Sequence, residues 1–387
     1  MLCRLCQRVP CDSLLQAGRL PVSNGYVAAG EVPPVRQLHL GHCPACDLFQ
    51  LVDPFPARVL AAQVPPWVRY GEPQSHLDDL CQRLTANLAP DASIGGVSYV
   101  DETLVRRFRE RGFARGAELD HRLGAAALSL EETLVQLEAG VFPGGPHALI
   151  VARQILDHVR VPDDFLRTLH AALEPGGRLL IEVPSSREAF EHRDPLMLWE
   201  SHANFFTTAS LERALERNGF EIEWSRRLVA DQTTVLVAVG RRSDDPRPVA
   251  AAADACDVPP DVVRGFVDHF GRYRDRLRAR CGSIRAAGGR IALYGAGHLG
   301  SLFLNLFGVG PCFDMAVDDD PRKLGLLLPG SALPIRPLAE LVPRQVTHLM
   351  LSVHARVEEA VVARIRATGA RVEISSLHAS SARAIKV

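Results

Sequence analysis

The sequence predicts an α/β protein in three parts: a small zinc-bound N-terminal module, then two doubly wound parallel-sheet domains. Three observations predict this. Two Cys-x-x-Cys pairs stand near the start, short apolar runs alternate with amphipathic segments from about residue 92 to 240, and the same alternation restarts near 286. At 387 residues the chain is too long for one ordinary core. The expected boundaries are 1–65, 66–245 and 246–387.

The N-terminal module rests on cysteine spacing. Cys3-Arg-Leu-Cys6 and Cys43-Pro-Ala-Cys46 are two knuckles, and two knuckles complete a closed shell of four sulfurs around one zinc ion. Such an ion substitutes for the core that a segment of about 50 residues cannot build alone. With four sulfurs no coordination position stays open, so this zinc is expected to be structural. Cys11 and His42 lie close enough in sequence to replace one ligand. The nine cysteines are odd in number and five fall within the first 46 residues, which argues against a disulfide framework.

In the middle part, apolar residues at helical spacing predict a helix from His76 to about Leu88. ALIVA (148–152), RLLIEV (178–183) and TTVLVAVG (233–240) read as strands, with helices around Asp164–Leu173 and Ser210–Asn218. Arg241–Pro259, rich in Asp, Pro and Ala, reads as a linker or helix edge, and Val262–Arg285 as one long helix. RIALYGAG, MAVDDDP, THLMLSVH and RVEISSL then supply the strands of the last domain.

Composition excludes several classes. A net charge of −1 leaves no basic excess for a nucleic-acid backbone. No run of about 18 apolar residues predicts a membrane span. MLCRLCQRVPCDS lacks the apolar core of a signal peptide, so a cytoplasmic location is expected.

The segments CRLC…LPVSNGYV…LHLGHCPACDLFQLVDP, ILDHVRVPDDFLRTLHAALEPGGRLLIEVPS (155–185), WESHANFF (199–206) and IALYGAGHLGSLFLNLFGV…VDDDPRKLGLLLPGSALPI (291–335) together resemble the sugar-nucleotide C-methyltransferases. The likeness runs in order along essentially the whole chain. It implies a zinc module, a class I methyltransferase domain and a Rossmann-like C-terminal domain. It further implies S-adenosylmethionine on the strand ends of the middle sheet, and a nucleotide-linked ketosugar in the cleft facing the last domain. A base removes the proton beside the carbonyl, and the enolate carbon takes the methyl group.

Carried over residue by residue, the resemblance assigns catalysis to His202, Glu200 and Tyr70. The family's Tyr-His-Glu-His is Trp199-Glu200-Ser201-His202 here, so the last histidine is kept and the glutamate stands one residue early. Cofactor contacts are expected from Gly95, Gly96, Ser98, Asp101, Glu118 and Gln154. In this loop Val100 and Glu102 replace the family's asparagine and glycine. Glu118, at the end of RGAELD, is placed to accept from two ribose hydroxyls. Trp199, Asn204, Gly295, Gly297 and His298 are expected against the substrate, with His298 where the family has a lysine. His158 reads more readily as a packing residue. Gly295-Ala-Gly297-His298-Leu-Gly300, with Asp318 18 residues on, also admits an NAD-binding reading. Two further readings stay open: a donor-free isomerisation, elimination or condensation on the same architecture, and a non-catalytic partner that binds a sugar nucleotide.

Overall fold

The computed structural model describes residues 1–86, 88–113, 128–142, 145–231, 233–244 and 256–386. RGAELD with Glu118, and most of the Arg241–Pro259 stretch, lie outside the described residues. No helix among the described residues is long and apolar enough to cross a membrane.

The N-terminal part is an antiparallel sheet of β1 (Asp12–Pro21), β2 (Val35–His42) and β3 (Phe49–Leu51), with Asn204–Phe205 added beyond β3. Sequence reading found the cysteines but not this sheet. Two short helices follow, α1 (Ala57–Gln63) and α2 (Leu77–Thr85).

The middle part runs β4 (Ile94–Gly96), α3 (Glu102–Glu110), α4 (Leu130–Glu138), β5 (His147–Arg153), α5 (Pro162–Ala172), β6 (Leu173–Pro184) and α6 (Ser186–Glu191). It continues through β7 (Asn204–Phe205), α7 (Thr208–Arg217), β8 (Phe220–Ala230) and β9 (Thr233–Arg242). Local signals start these helices: Ser129 with Glu132 and Thr207 with Ser210 form capping boxes, and Pro162 opens α5.

The middle sheet has the order β4-β5-β6-β9-β8. Its first three strands are parallel, but β9 runs antiparallel to β6 and β8 antiparallel to β9. This corrects the all-parallel expectation. Apolar strands show residue type and not direction, and the short Asp231–Gln232 connection permits only an antiparallel hairpin. Both faces are covered: Leu149, Val151 and Leu180 pack toward α2 and α3, while Ile150, Ala152 and Ile181 pack toward α4, α5 and α7.

A 27-residue helix, α8 (Pro260–Ala286), leads into β10 (Ile291–Tyr294), α9 (His298–Phe307), β11 (Phe313–Val317), β12 (Ile335–Arg336), β13 (His348–Leu351), α10 (Ala355–Ala367) and β14 (Glu373–Ser376). All pairs in this sheet are parallel and the order is β12-β11-β10-β13-β14, which makes β10/β13 the topological switch point. Phe266, Phe270 and Leu277 of α8 share one core with Phe303 and Phe307 of α9, and with Leu38, Leu40 and Phe49 of the N-terminal sheet.

A buried ionic knot holds the strand ends of the middle sheet. Arg153 and Glu182, both wholly buried, pair at 3.0 Å, and His76 Nε2 meets Glu182 Oε2 at 2.7 Å. The guanidinium also donates to the carbonyls of Val100 (3.1 Å) and Pro73 (2.7 Å). Burial alone would raise the Glu182 carboxyl, but Arg153 and His76 prevail and hold it at about 2. Glu182→Gln should therefore cost about 3–5 kcal/mol in denaturant unfolding, because it strands a buried guanidinium, whereas Arg153→Met with Glu182→Leu should recover most of that loss. The folded chain binds fewer protons here than the unfolded one between about 2 and the ordinary 4.5. This contribution is thus complete above that range and fades as pH falls through it.

Candidate active site at the junction of the three parts

The four cysteine sulfurs converge. Cys3 and Cys46 are 3.3 Å apart, Cys6 and Cys43 3.7 Å, and all four lie within 4.8 Å of one another. Four thiolates about 2.3 Å from a central ion would stand roughly 3.8 Å apart, so the donor set fits a closed tetrahedral zinc site. Contacts from Cys43 and Cys46 outweigh burial and bring the Cys3 thiol down to about 4, while the Cys46 thiol is pushed far up. Cys11 lies against the Gln50 amide, and His42 pairs with Asp47 at 2.9 Å, so neither joins the cluster.

The turn 199–202 is tied to the short segment after β5 by the Ala203 N–H to Asp157 carbonyl bond (2.8 Å), and histidines and aromatic rings gather there. His158 meets His202 edge-to-face with ring centroids 4.7 Å apart, and Trp199 contacts His202 (4.8 Å), His158 (5.3 Å) and Tyr70 (5.2 Å). From the C-terminal part His298, the first residue of α9, stacks on Trp199 at 4.4 Å. Asp157 lies beneath, its Oδ2 3.1 Å from His202 Nε2 and 3.6 Å from His158 Nε2. Burial lowers both histidines, His202 to about 3 with His298 adding to the effect, so each ring is neutral at ordinary pH. Burial likewise raises the Asp157 carboxyl well above its usual value, with Glu72 and Glu182 adding to it.

The other residues expected here take different tasks. Glu200 is buried and accepts from the Ser23 backbone N–H (2.7 Å) and hydroxyl (2.8 Å), and from Trp199 Nε1 at 3.2 Å. It ties the turn to the N-terminal part. Asn204 is wholly buried and donates to the carbonyls of Leu156 and Val159, bracing the segment that carries Asp157 and His158. The Tyr70 hydroxyl donates to Glu131 at 2.7 Å and accepts from Asn24 at 3.2 Å. Nothing in the sequence pattern distinguishes His158 from a packing residue or marks Asp157, Glu131 and Asn24 as neighbours of the site. The one available signal was that Asp157 and His158 fall where β5 ends.

The turn after β4 is already hydrogen-bonded within the protein. Asp101, wholly buried, accepts from the backbone of Val97 and Ser98 at 2.9 Å and of Arg153 at 2.8 Å, and Ser98 Oγ accepts from Val100 at 3.2 Å. A Cβ on Gly95 would stand 3.1 Å from the His147 ring, so that glycine serves packing. Gly96 ends β4, and Gln154 donates its amide to Glu182 at 2.9 Å. These amides are therefore not free for the carboxylate of S-adenosylmethionine. The remaining lining is acidic and aromatic. Glu131 Oε2 is buried with no hydrogen-bond partner among the described residues, the Glu72 carboxyl is raised to about 7 by burial, and the Tyr99 hydroxyl accepts from the Tyr70 backbone at 2.9 Å. Unpartnered carboxylate oxygens beside aromatic rings fit the cationic end of that cofactor.

In the last domain, Gly295 is left-handed (φ +97°), and a Cβ there would come within 2.8 Å of Ser352 Oγ. Gly297 faces open space. Asp318 accepts from the Ala296 and Asp320 backbones and pairs with Lys323 at 2.8 Å, while Tyr26 donates to the Ala296 carbonyl at 2.7 Å. The acid that an NAD ribose would need is thus engaged in holding its own turn.

Comparisons with known proteins agree with this layout. A methyltransferase domain model matches residues 74–224, and a C-methyltransferase C-terminal domain model matches 252–371. C-methyltransferase NovU of Streptomyces niveus is 27% identical over 199 residues, 48% of this chain and 46% of that protein, so the match spans about half of its length. Among solved structures, a Burkholderia thailandensis 1,6-didemethyltoxoflavin-N1-methyltransferase is 18% identical over 44% of this chain and 79% of its own (TM-score 0.32). The [4+2]-cyclase SpnF is 15% identical over 47% and 90% (TM-score 0.33). At those scores the fold rests on the topology above. The two domain matches and the curated relative support an enzyme of the methyltransferase type.

Replacing Cys43 with Ser should abolish thiolate-bound metal, measured by a chromogenic chelator. It should also lower the melting temperature by roughly 10 °C, since such an ion contributes several kcal/mol to folding.

Proposed function

We propose that the chain methylates a carbon beside a carbonyl, on a nucleotide-linked ketosugar or a related natural-product intermediate, in the cleft where its three parts meet. The observation that carries this reading is the meeting of Asp157, His158 and His202 with Tyr70, Trp199 and His298, in a chain whose domain matches are those of a C-methyltransferase. S-adenosylmethionine would supply an electrophilic methyl group at the acidic, aromatic wall formed by Glu72, Glu131 and Tyr99.

In this reading His202, neutral and 15% exposed at its side chain, takes the substrate proton at Nε2. The imidazolium so formed shifts Asp157, 3.1 Å away, toward its ionised form, which then balances the new positive charge. Tyr70, whose one hydroxyl proton goes to Glu131 in the free protein while Asn24 donates to it, would turn that proton from Glu131 to the oxygen on which the enolate charge gathers. Trp199 fixes the imidazole ring, and His298 with Lys323 offers the C-terminal wall to the phosphates. Cys3, Cys6, Cys43 and Cys46 hold a structural zinc that keeps the N-terminal part, with Ser23 and Asn24, against this wall.

A donor-free reaction on the same framework is the second reading, favoured by the turn amides already committed to Asp101 and Ser98. Calorimetric titration with S-adenosylmethionine and its demethylated product separates the two. Micromolar binding supports methyl transfer, and no heat at millimolar ligand removes it. His202→Ala should then lower kcat by about 10²–10⁴ with little change in substrate binding, and an unchanged kcat would end its role as base.

A further inference from the structure

The cluster at Asp157 has a feature that proton transfer leaves unexplained. Both carboxylate oxygens of Asp157 are buried and lack a hydrogen-bond partner among the described residues, and the residue is 2% exposed. His158 Nδ1 lies 3.1 Å from the Ser201 carbonyl. A carbonyl accepts only, so Nδ1 carries the ring proton and Nε2 is left as a bare lone pair. That lone pair faces Asp157 Oδ2 at 3.6 Å, and His202 Nε2 faces the same oxygen at 3.1 Å without hydrogen-bonding alignment. Three electron-pair donors thus converge, one atom from each residue, all within 4.8 Å of one another.

This arrangement suits a cation. Ligands about 2.0–2.1 Å from a tetrahedral ion stand roughly 3.4 Å apart, which the 3.1 and 3.6 Å separations bracket. A histidine that gives its second N–H to a backbone carbonyl has the outer-shell support common at metal sites. Asp157 and His158 come from the short 3-10 turn Leu156–His158 after β5, which Asn204 braces, and His202 from the turn that Glu200 anchors, so the set is held in place before an ion arrives. His202, 15% exposed at its side chain, leaves access from solvent.

We propose that Asp157, His158 and His202 form a second metal site, a two-imidazole, one-carboxylate site for a borderline divalent cation with its remaining positions open to the cleft. It is separate from the four-cysteine cluster and differs in donor chemistry. The proposal goes beyond the methyl-transfer reading and does not depend on it. An ion held here would take the Nε2 lone pair of His202, so metal and substrate proton compete for one atom.

The test is titration of the full zinc-loaded chain with Co²⁺ alone, followed by visible absorption. One equivalent is expected, with d–d bands and no thiolate charge-transfer band, because nitrogen and oxygen donors lack that transition. His158→Ala, Asp157→Asn and His202→Ala should each weaken this binding by more than about tenfold. In parallel cobalt-substituted samples the thiolate charge-transfer band of the four-cysteine site reports that each variant has folded. Should a buried variant lose that band, His202→Ala, at the most accessible of the three positions, decides alone. No cobalt uptake by the zinc-loaded chain, or uptake unchanged in the folded variants, overturns the proposal. Substrate and methyl donor are both absent, so this result is independent of whether the chain transfers methyl groups.

Discussion

The buried guanidinium of Arg153 is the constraint on which the cleft depends. It projects from the last residue of β5 into the layer beneath α2 and α3, where no water can solvate it. A charge in that position must be answered on every side. Glu182 answers it from β6, Val100 from the turn before α3, and Pro73 from the segment that carries Tyr70 and Glu72. Asp101 closes the set through the Arg153 backbone. One side chain thereby ties three stretches of chain that are far apart in sequence to the end of β5. The same economy explains the closed turn after β4: its amides serve the knot, and the ligand-facing lining is left to carboxylates and rings.

Aromatic and imidazole rings gather around Trp199. Trp199 touches three histidines and a tyrosine, which come from two different parts of the chain. Burial keeps these imidazoles neutral, with His298 down to about 4, so they pack as flat polar rings without mutual charge repulsion. The cluster therefore combines neutral imidazoles with raised carboxyls, Asp157 among them.

How much of this was legible in the sequence follows from range. The four cysteines were legible because each knuckle is local and thiol chemistry restricts its uses. Most strands and helices were legible because burial on alternate faces leaves a period in the residues. Strand direction was not, so the β8–β9 hairpin turned a parallel sheet into a mixed one. The functions of Glu200 and Asn204 were hidden because their partners, Ser23 and the Leu156 and Val159 carbonyls, lie 177, 48 and 45 residues away. His158 was passed over because a histidine at helical spacing gives the same pattern whether it packs or faces a site.

The strand Asn204–Phe205 belongs by sequence to the middle of the chain, yet it hydrogen-bonds as the last strand of the N-terminal sheet. The four-cysteine segment is consequently not a cassette that recombination could lift out at one cut. Any exchange between relatives would have to carry the stretch from Trp199 to Phe206 with it, and so would transplant the turn that bears His202 together with the cysteine knuckles. Inheritance of the scaffold and inheritance of the chemistry are thereby linked by two residues of β-strand.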